Sequence, residues 1–375
     1  MSEPNAILIA AASGRGLANA ARRSGYSPLV VDFFGDSDTR ALAAATREIA
    51  DPARGFESDE VLAYLRELAA DAAPAGLVYG SGFEDRPEIL DLLARHFFVF
   101  GNDAQTLARA KDPRALATLC QQLQIPHPEI AFAAPRDPDN WLVKRQGGGG
   151  GLHVRLAGEE EVSPEEYFQR RVSGAPVSVL LLGDGNAAQI LGTSSQWTTP
   201  WPGMPFRFGG AVRPALDPAE LAVLSNAARK IAEALGLVGL NSVDFLADAA
   251  SYHLIEVNPR PGATLDIFAD AEGALFAAHL AACRGHLPER PLVFTKAAAT
   301  AIAYAPHELP SMPGFVWPDW CKDRQRSGTS LRAGDPVCTI LAEAETAAAA
   351  RALVAERLAL FEAQLLREAQ KECAA

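Results

Sequence analysis

The sequence predicts an α/β protein, with a parallel-sheet domain at the N-terminus and an α+β remainder, and three observations carry that prediction. Residues 6–100 alternate short apolar β-type runs with helical stretches, the pattern of a small doubly wound sheet. Beyond about residue 125, strand-like runs follow one another across glycine turns with few helices between them. Finally, residues 241–262, NSVDFLADAASYHLIEVNPRPG, read as a β-hairpin with acids on one face.

Bulk properties narrow the function classes. A chain of 375 residues, 49% hydrophobic and 21% charged, has room for two or three domains. A net charge of -12 argues against nucleic acid or an anionic membrane as the main partner, because both call for a basic patch, and favours small-molecule substrates. Five cysteines without CxxC spacing suggest neither a zinc site nor a disulfide framework. The N-terminal apolar run is too short for a signal sequence, and no run reaches the ~18 apolar residues of a membrane span, so a cytoplasmic protein is expected.

The elements follow in order. Residues 6–12, 28–33, 76–79 and 97–100 read as strands, and residues 17–24, 59–70 and 87–94 as helices. Such sheets bind ligands beyond the carboxyl ends of their strands, which here carry residues 13–16, 32–38 and 80–84. Arg15, Asp32, Ser81 and Glu84 are therefore candidate substrate residues. Gly14, Gly16 and Asp32 also suggest a dinucleotide loop, but Asn19 stands at the third glycine position, so glycines turning a strand into a helix are the better reading.

At Asn102 and Gln105 a capping box opens a helical linker, and Asp112-Pro113 starts a second helix running to about Leu123. Lys111, at the junction, is either a solvated charge or an arm reaching for phosphate. Only six of the 34 basic residues are lysines, so Lys144 at the end of the strand Trp141 to Lys144 is conspicuous. The run Gly147, Gly148, Gly149, Gly150 and Gly151 follows it. Glycines between strands expose backbone N–H groups and can fold over phosphates, although GxxxxGK[ST] is absent. Residues 167–172 read as a helix end, 177–182 and 186–191 as strands, and Asp217 to Glu220 as a second capping box. Arg207, in a loop of glycines and phenylalanines, is either a substrate-carboxylate clamp or a surface arginine.

In the hairpin, strand alternation puts Glu256 and Asn258 on one side, and pairing across the turn brings Asp244 to the same side. Two carboxylates and an amide are oxygen ligands for a hard cation such as Mg²⁺. A solvated hairpin needs no cation, but it has no use for the Asn-Pro-Arg-Pro-Gly run at residues 258–262.

With these motifs in this order, residues 1 to about 310 resemble the ATP-grasp superfamily of carboxylate-amine ligases. The resemblance implies a parallel α/β domain at 1–102, linker helices and a lid at 103–172, a larger antiparallel-sheet catalytic domain at 173–310, and a C-terminal segment at 311–375. It implies ATP and Mg²⁺ or Mn²⁺, with Lys111 and Lys144 on the nucleotide phosphates beneath the lid of Gly147 to Gly150. Gln169, Arg170, Arg171 and Val172 would hold adenine, and Asp244, Glu256 and Asn258 the metal. Arg260, with Lys144 and Arg207, would be catalytic. The implied reaction joins a carboxylic acid to an amine through an acyl phosphate, and a homo-oligomer is compatible with it. A narrower likeness is to carboligases and tyramine-glutamate ligases of methanofuran-type cofactor biosynthesis. The C-terminal segment is faintly similar to biotin carboxylases, which implies carboxyphosphate chemistry as an alternative; a non-catalytic nucleotide-binding module is a third.

Two departures from the family pattern bear on these roles. Pro176 follows Gly174-Ala175 where a ribose-binding acid is common, and Lys111 precedes Asp112 where the family lysine often follows an aspartate.

Overall fold

The structure, a computed structural model, describes residues 5–158, 162–214, 218–248, 251–269, 272–314 and 316–374. Its first layer is a five-stranded parallel sheet in the order β3-β2-β1-β4-β5. Along the chain this sheet comprises β1 (Ala6–Ala10), α1 (Arg15–Arg23), β2 (Ser27–Asp32), α2 (Ser37–Leu42), β3 (Ala45–Glu48), α3 (Ser58–Ala69), β4 (Leu77–Tyr79), α4 (Glu88–Ala94) and β5 (Val99–Phe100). Ile7, Leu8 and Ile9 are fully buried, because helices cover both faces of a parallel sheet. The sequence reading missed α2 and β3. The β3 segment ATRE carries two charges in four residues, which hides an edge strand.

Two helices, α5 (Ala104–Lys111) and α6 (Pro113–Leu123), lead out of this domain. The first is capped by Asp103, which accepts from Thr106 N at 2.7 Å, and not by Asn102. Asn102 instead bridges domains: its Nδ2 donates to Asn241 Oδ1 (2.7 Å) and to the Pro259 carbonyl (2.8 Å), and its Oδ1 accepts from Val238 N.

A four-stranded antiparallel sheet follows, ordered β6-β9-β7-β8, from β6 (Ile130–Ala131), β7 (Trp141–Arg145), β8 (Val154–Leu156) and β9 (Glu166–Arg170). The predicted helix end at 167–172 is therefore a strand. Trp141, Val143 and Phe168 form its small core, and alternation at period two buries Phe168.

The largest layer has eight strands in the order β14-β13-β10-β11-β12-β15-β17-β16. They are β10 (Ala175–Asp184), β11 (Ala188–Thr198), β12 (Phe208–Arg213), β13 (Val238–Ala247), β14 (Tyr252–Asn258), β15 (Ala297–Tyr304), β16 (Cys321–Lys322) and β17 (Pro336–Ala344). Val177, Val179 and Leu181 pack one face on α7 (Pro218–Leu235); Leu180 and Leu182 turn the other toward the first domain and α8 (Ala274–Ala282). The capping box expected at Asp217 lies outside the described residues. The last helix, α9 (Ala347–Ala374), buries Val354, Phe361 and Leu365 against β15 and β17. Residues beyond 310 thus extend the same sheet through β16 and β17. No described helix is long and apolar enough to cross a membrane.

Arg15 departs from its expected role as a clamp for substrate. Its guanidinium is held by Asp266 (2.5 Å) and Asp323 (2.9 Å), with its side chain 5% exposed. Burial alone would lower its pKa, but these two carboxylates raise it well above the ordinary arginine value. Removing one partner of a buried pair strands the others, at a cost of about 3–5 kcal/mol. Arg15→Ala should therefore lower the melting temperature clearly, while Arg22→Ala at an exposed position should not. Equal melting of the two variants would show that the pairs hold nothing together.

Candidate active site

Five strands and one helix deliver polar side chains to one cleft. Asp244 on β13 faces Glu256 on β14 in register, and Ser178 on β10 stands opposite Asp244 on its other side. Asp244 accepts from Ser178 Oγ at 2.5 Å and from Asn258 Nδ2 at 2.9 Å. Lys111, the last residue of α5, reaches across and donates to Glu256 Oε1 (2.5 Å) and Asn258 Oδ1 (2.9 Å). Lys144 on β7 donates to Gln169 Oε1 at 3.1 Å from the opposite wall.

The electrostatics follow from burial and crowding. Burial would raise Glu256, but Lys111, His153 and Lys144 outweigh it and hold the carboxyl down to about 2. Asp244 is pushed up to about 6, first by burial and then by the Glu256 charge. Burial lowers Lys144 despite Glu256. Among the described residues no group of three or more His, Cys, Asp or Glu side chains is placed to hold a metal ion. Two carboxylates and one amide oxygen nevertheless suit Mg²⁺, which commonly takes one or two carboxylates and completes its shell with water and substrate phosphates. Lys111 already rests a cation on Glu256 and Asn258, so the donor set fits a positive charge.

Arg260 leaves the hairpin beside this group and is fixed from the first domain. Its Nε donates to Glu84 Oε1 at 2.6 Å, while Glu84 Oε2 accepts from the Gly82 and Phe83 N–H groups at 2.7 and 3.0 Å. Glu84 is thereby occupied in positioning Arg260, which corrects its expected role as a free substrate contact. Asp32 is likewise committed to its own loop, accepting from Gly14 N (3.2 Å) and Gly35 N (2.9 Å). Ser81 contributes its carbonyl, which accepts from Ala12 N at 2.7 Å.

Asp32 offers a pH test. Burial raises its carboxyl to about 6, against the N–H bonds that would lower it. A carboxyl with a raised folded pKa contributes stability that is full below the unfolded value near 3.9 and is lost as pH rises through about 6. Asp32→Asn should remove that component, so its melting temperature changes less than wild type between pH 4.5 and 7. Parallel profiles would mean that Asp32 does not titrate there.

The glycine run closes over the cleft. Gly147 lies against the first domain, where a Cβ would sit 2.7 Å from the Glu84 carbonyl oxygen. Gly150 accepts from Phe208 N at 2.9 Å, and a Cβ on Gly151 would overlap the Phe206 carbonyl oxygen. The ring of His153 fills the place where a Gly148 side chain would go. Arg207 lies buried next to this contact, 3.7 Å from the Tyr304 ring centroid, and donates to the carbonyls of Thr199 and Gly334 (both 3.0 Å).

The segment expected to hold adenine differs in detail. Arg170 N donates to Glu129 O and Arg171 N to Asn140 O, both at 2.8 Å, so these two N–H groups are spent within the lid sheet. Sequence reasoning also passed over Ser178, His127, His153 and Tyr167, three of which line the pocket between Lys111 and Lys144. Ser178 had a legible signal: it is the single hydroxyl in the apolar run VSVLLL.

Residues 110–264, spanning both lysines, the glycine loop and the acidic hairpin, match a family described as ATP-grasp domain. They form an ATP-grasp domain. Over 241 residues the chain is 26% identical to the carbamoyl phosphate synthase large chain of Acidobacterium capsulatum, a match covering 57% of this chain. The chain spans only 22% of that relative's length. The fold is shared with the biotin carboxylase domain of Hydrogenobacter thermophilus 2-oxoglutarate carboxylase, solved with MgADP and bicarbonate (TM-score 0.70, 13% identity, 91% of this chain and 86% of that one). It is shared also with N5-carboxyaminoimidazole ribonucleotide synthetase of Thermotoga maritima (TM-score 0.65, 14% identity, 96% and 98% covered). Mixed α/β architecture with one parallel and two antiparallel sheets is thus the ATP-grasp fold in this chain.

Proposed function

We propose that this chain is an ATP- and Mg²⁺-dependent ligase that joins a carboxylic acid to an amine through an acyl phosphate, releasing ADP and phosphate. The observation that carries the proposal is the convergence of Lys111, Lys144, Asp244, Glu256, Asn258 and Arg260 beneath a glycine lid. Lys111 and Lys144 neutralise the triphosphate, and Lys111 trades its present partners for phosphate oxygens when a cation takes them. Asp244, Glu256 and Asn258 would hold a magnesium ion, which would supply Lewis-acid stabilisation of the transferring phosphoryl group. Arg260, aimed by Glu84, steadies the charge that gathers on the intermediate. The lid excludes water, since hydrolysis would destroy an acyl phosphate before the amine arrives.

A screen of amino acids and amines for ADP release, with hydroxylamine to trap the acyl phosphate as a hydroxamate, tests this reading. ADP release that needs both acid and amine supports it. ADP release that needs bicarbonate alone favours the second reading, carboxyphosphate chemistry, which the carbamoyl phosphate synthase and biotin carboxylase likenesses support. No residue described in the cleft singles out a methanofuran-type substrate. Lys144→Ala should weaken ADP binding by about ten- to a hundredfold, as expected for losing a hydrogen bond to a charged group. Unchanged affinity in titration calorimetry would place the nucleotide elsewhere.

A further inference from the structure

A second buried arginine lies outside the site described above. Arg213 ends β12 with 8% of its surface exposed, and its guanidinium stands 5.3 and 4.9 Å from the ring centroids of Phe268 and Phe294. Its Nε donates to the Ile267 carbonyl. Among the described residues its remaining donors have no hydrogen-bond partner, and no carboxylate lies within ion-pair distance. Two ring faces and one carbonyl stabilise a guanidinium only in part. A buried cation without an anion is costly, and native interiors pair such charges.

Arg213 faces a cleft of about 550 Å³ whose walls include Leu191, Thr193, Leu292 and Lys296. The cleft also reaches the first turn of the 28-residue α9, where Thr346 Oγ1 accepts from Ala349 N at 3.2 Å. Free N–H groups at a helix start favour an anion. One acid, Glu345, stands exposed at the rim, and Glu343 acts on Arg213 only from a distance. Arg213 is three strands from Asp244, about 14 Å at ordinary strand spacing, so the cleft does not share the phosphate pocket.

We infer that this cleft binds a small organic anion, a carboxylate or phosphate with an apolar body, whose charged end meets Arg213 and Lys296 and whose body lies against Phe268, Phe294 and Leu191. The inference does not depend on the ligase reading. Connection to the active site runs through the turn at 265–268, which follows Arg260 and Gly262 directly: Ile267 accepts from Arg213, and Asp266 holds Arg15.

Titration calorimetry of the full chain with benzoate and with phenyl phosphate, at constant ionic strength, tests the site and separates the two anion types. Saturable binding of at least one probe is expected, weakened tenfold or more by Arg213→Met and by Lys296→Glu, and unchanged by Lys144→Ala. Lys296 is exposed, so its variant reports on the cleft even if the Arg213 variant fails to fold. Absence of binding by wild type, binding that survives Lys296→Glu, or binding that Lys144→Ala removes would each overturn the proposal.

Discussion

Glu256→Gln is expected to cut turnover by about a hundredfold or more while the protein still folds. The substitution keeps the side-chain volume and leaves an amide oxygen for Lys111 to donate to, but it removes the negative charge. Lys111 would then sit between two neutral oxygens with its side chain 4% exposed, so some stability is lost as well. Loss of a buried partner costs about 3–5 kcal/mol when nothing replaces it, and the retained acceptor keeps the cost below that. ADP release and thermal melting measured together separate the two effects. Release at the wild-type rate would remove the cation platform from the mechanism.

The second large effect is expected at Gly151. Its φ of +73° lies in the left-handed region, and a Cβ would overlap the Phe206 carbonyl oxygen, so Gly151→Ala should prevent the lid from resting on residues 206–208. Gly149 has nothing within 4 Å of an added Cβ and no positive φ, which makes Gly149→Ala the matched control. Turnover should fall about tenfold or more for the first and stay within twofold for the second, at about 1.4 kcal/mol per factor of ten. Both variants lose a glycine from the unfolded chain, so melting must be recorded for each. Equal turnover would mean that the contact between lid and body is dispensable.

Legibility in the sequence tracked the range of the interactions. The hairpin at residues 241–262 was readable because strand alternation alone puts Glu256 and Asn258 on one side, and the register then brings Asp244 opposite Glu256. The parallel sheet was readable from its apolar runs, except where β3 carries charges. What stayed hidden was which charge meets which. Glu84 and Arg260 are 176 residues apart, and Arg15 and Asp323 are 308 apart. No local pattern distinguishes an arginine waiting for a substrate from one already satisfied by a distant aspartate. The strand at 166–170 reads as a helix end because its run EYFQR is short and polar at three of five positions, whereas what makes it a strand is its pairing with the distant β7 and with β6. Asn102 reads as a helix cap because a cap and an interdomain bridge use the same amide chemistry.

The ionic contacts of the C-terminal segment have a consequence for the order in which the molecule can be completed. Arg324 pairs with Asp38, Arg326 with Glu48, and Asp323 with Arg15, and every acceptor or donor they meet in the first domain lies within its first 50 residues. Asp38 meets Arg324 only after 286 further residues have been made, and Arg15 meets Asp266 after 251 and Asp323 after 308. During that interval its strand-end loops carry uncompensated charges that water must solvate, so they cannot settle into their final burial. The strand-end loops of the first domain are therefore completed late, by the C-terminal segment, and a nascent fragment that already contains the lysines, the glycine loop and the acidic hairpin still lacks the ionic partners of Asp38 and Glu48.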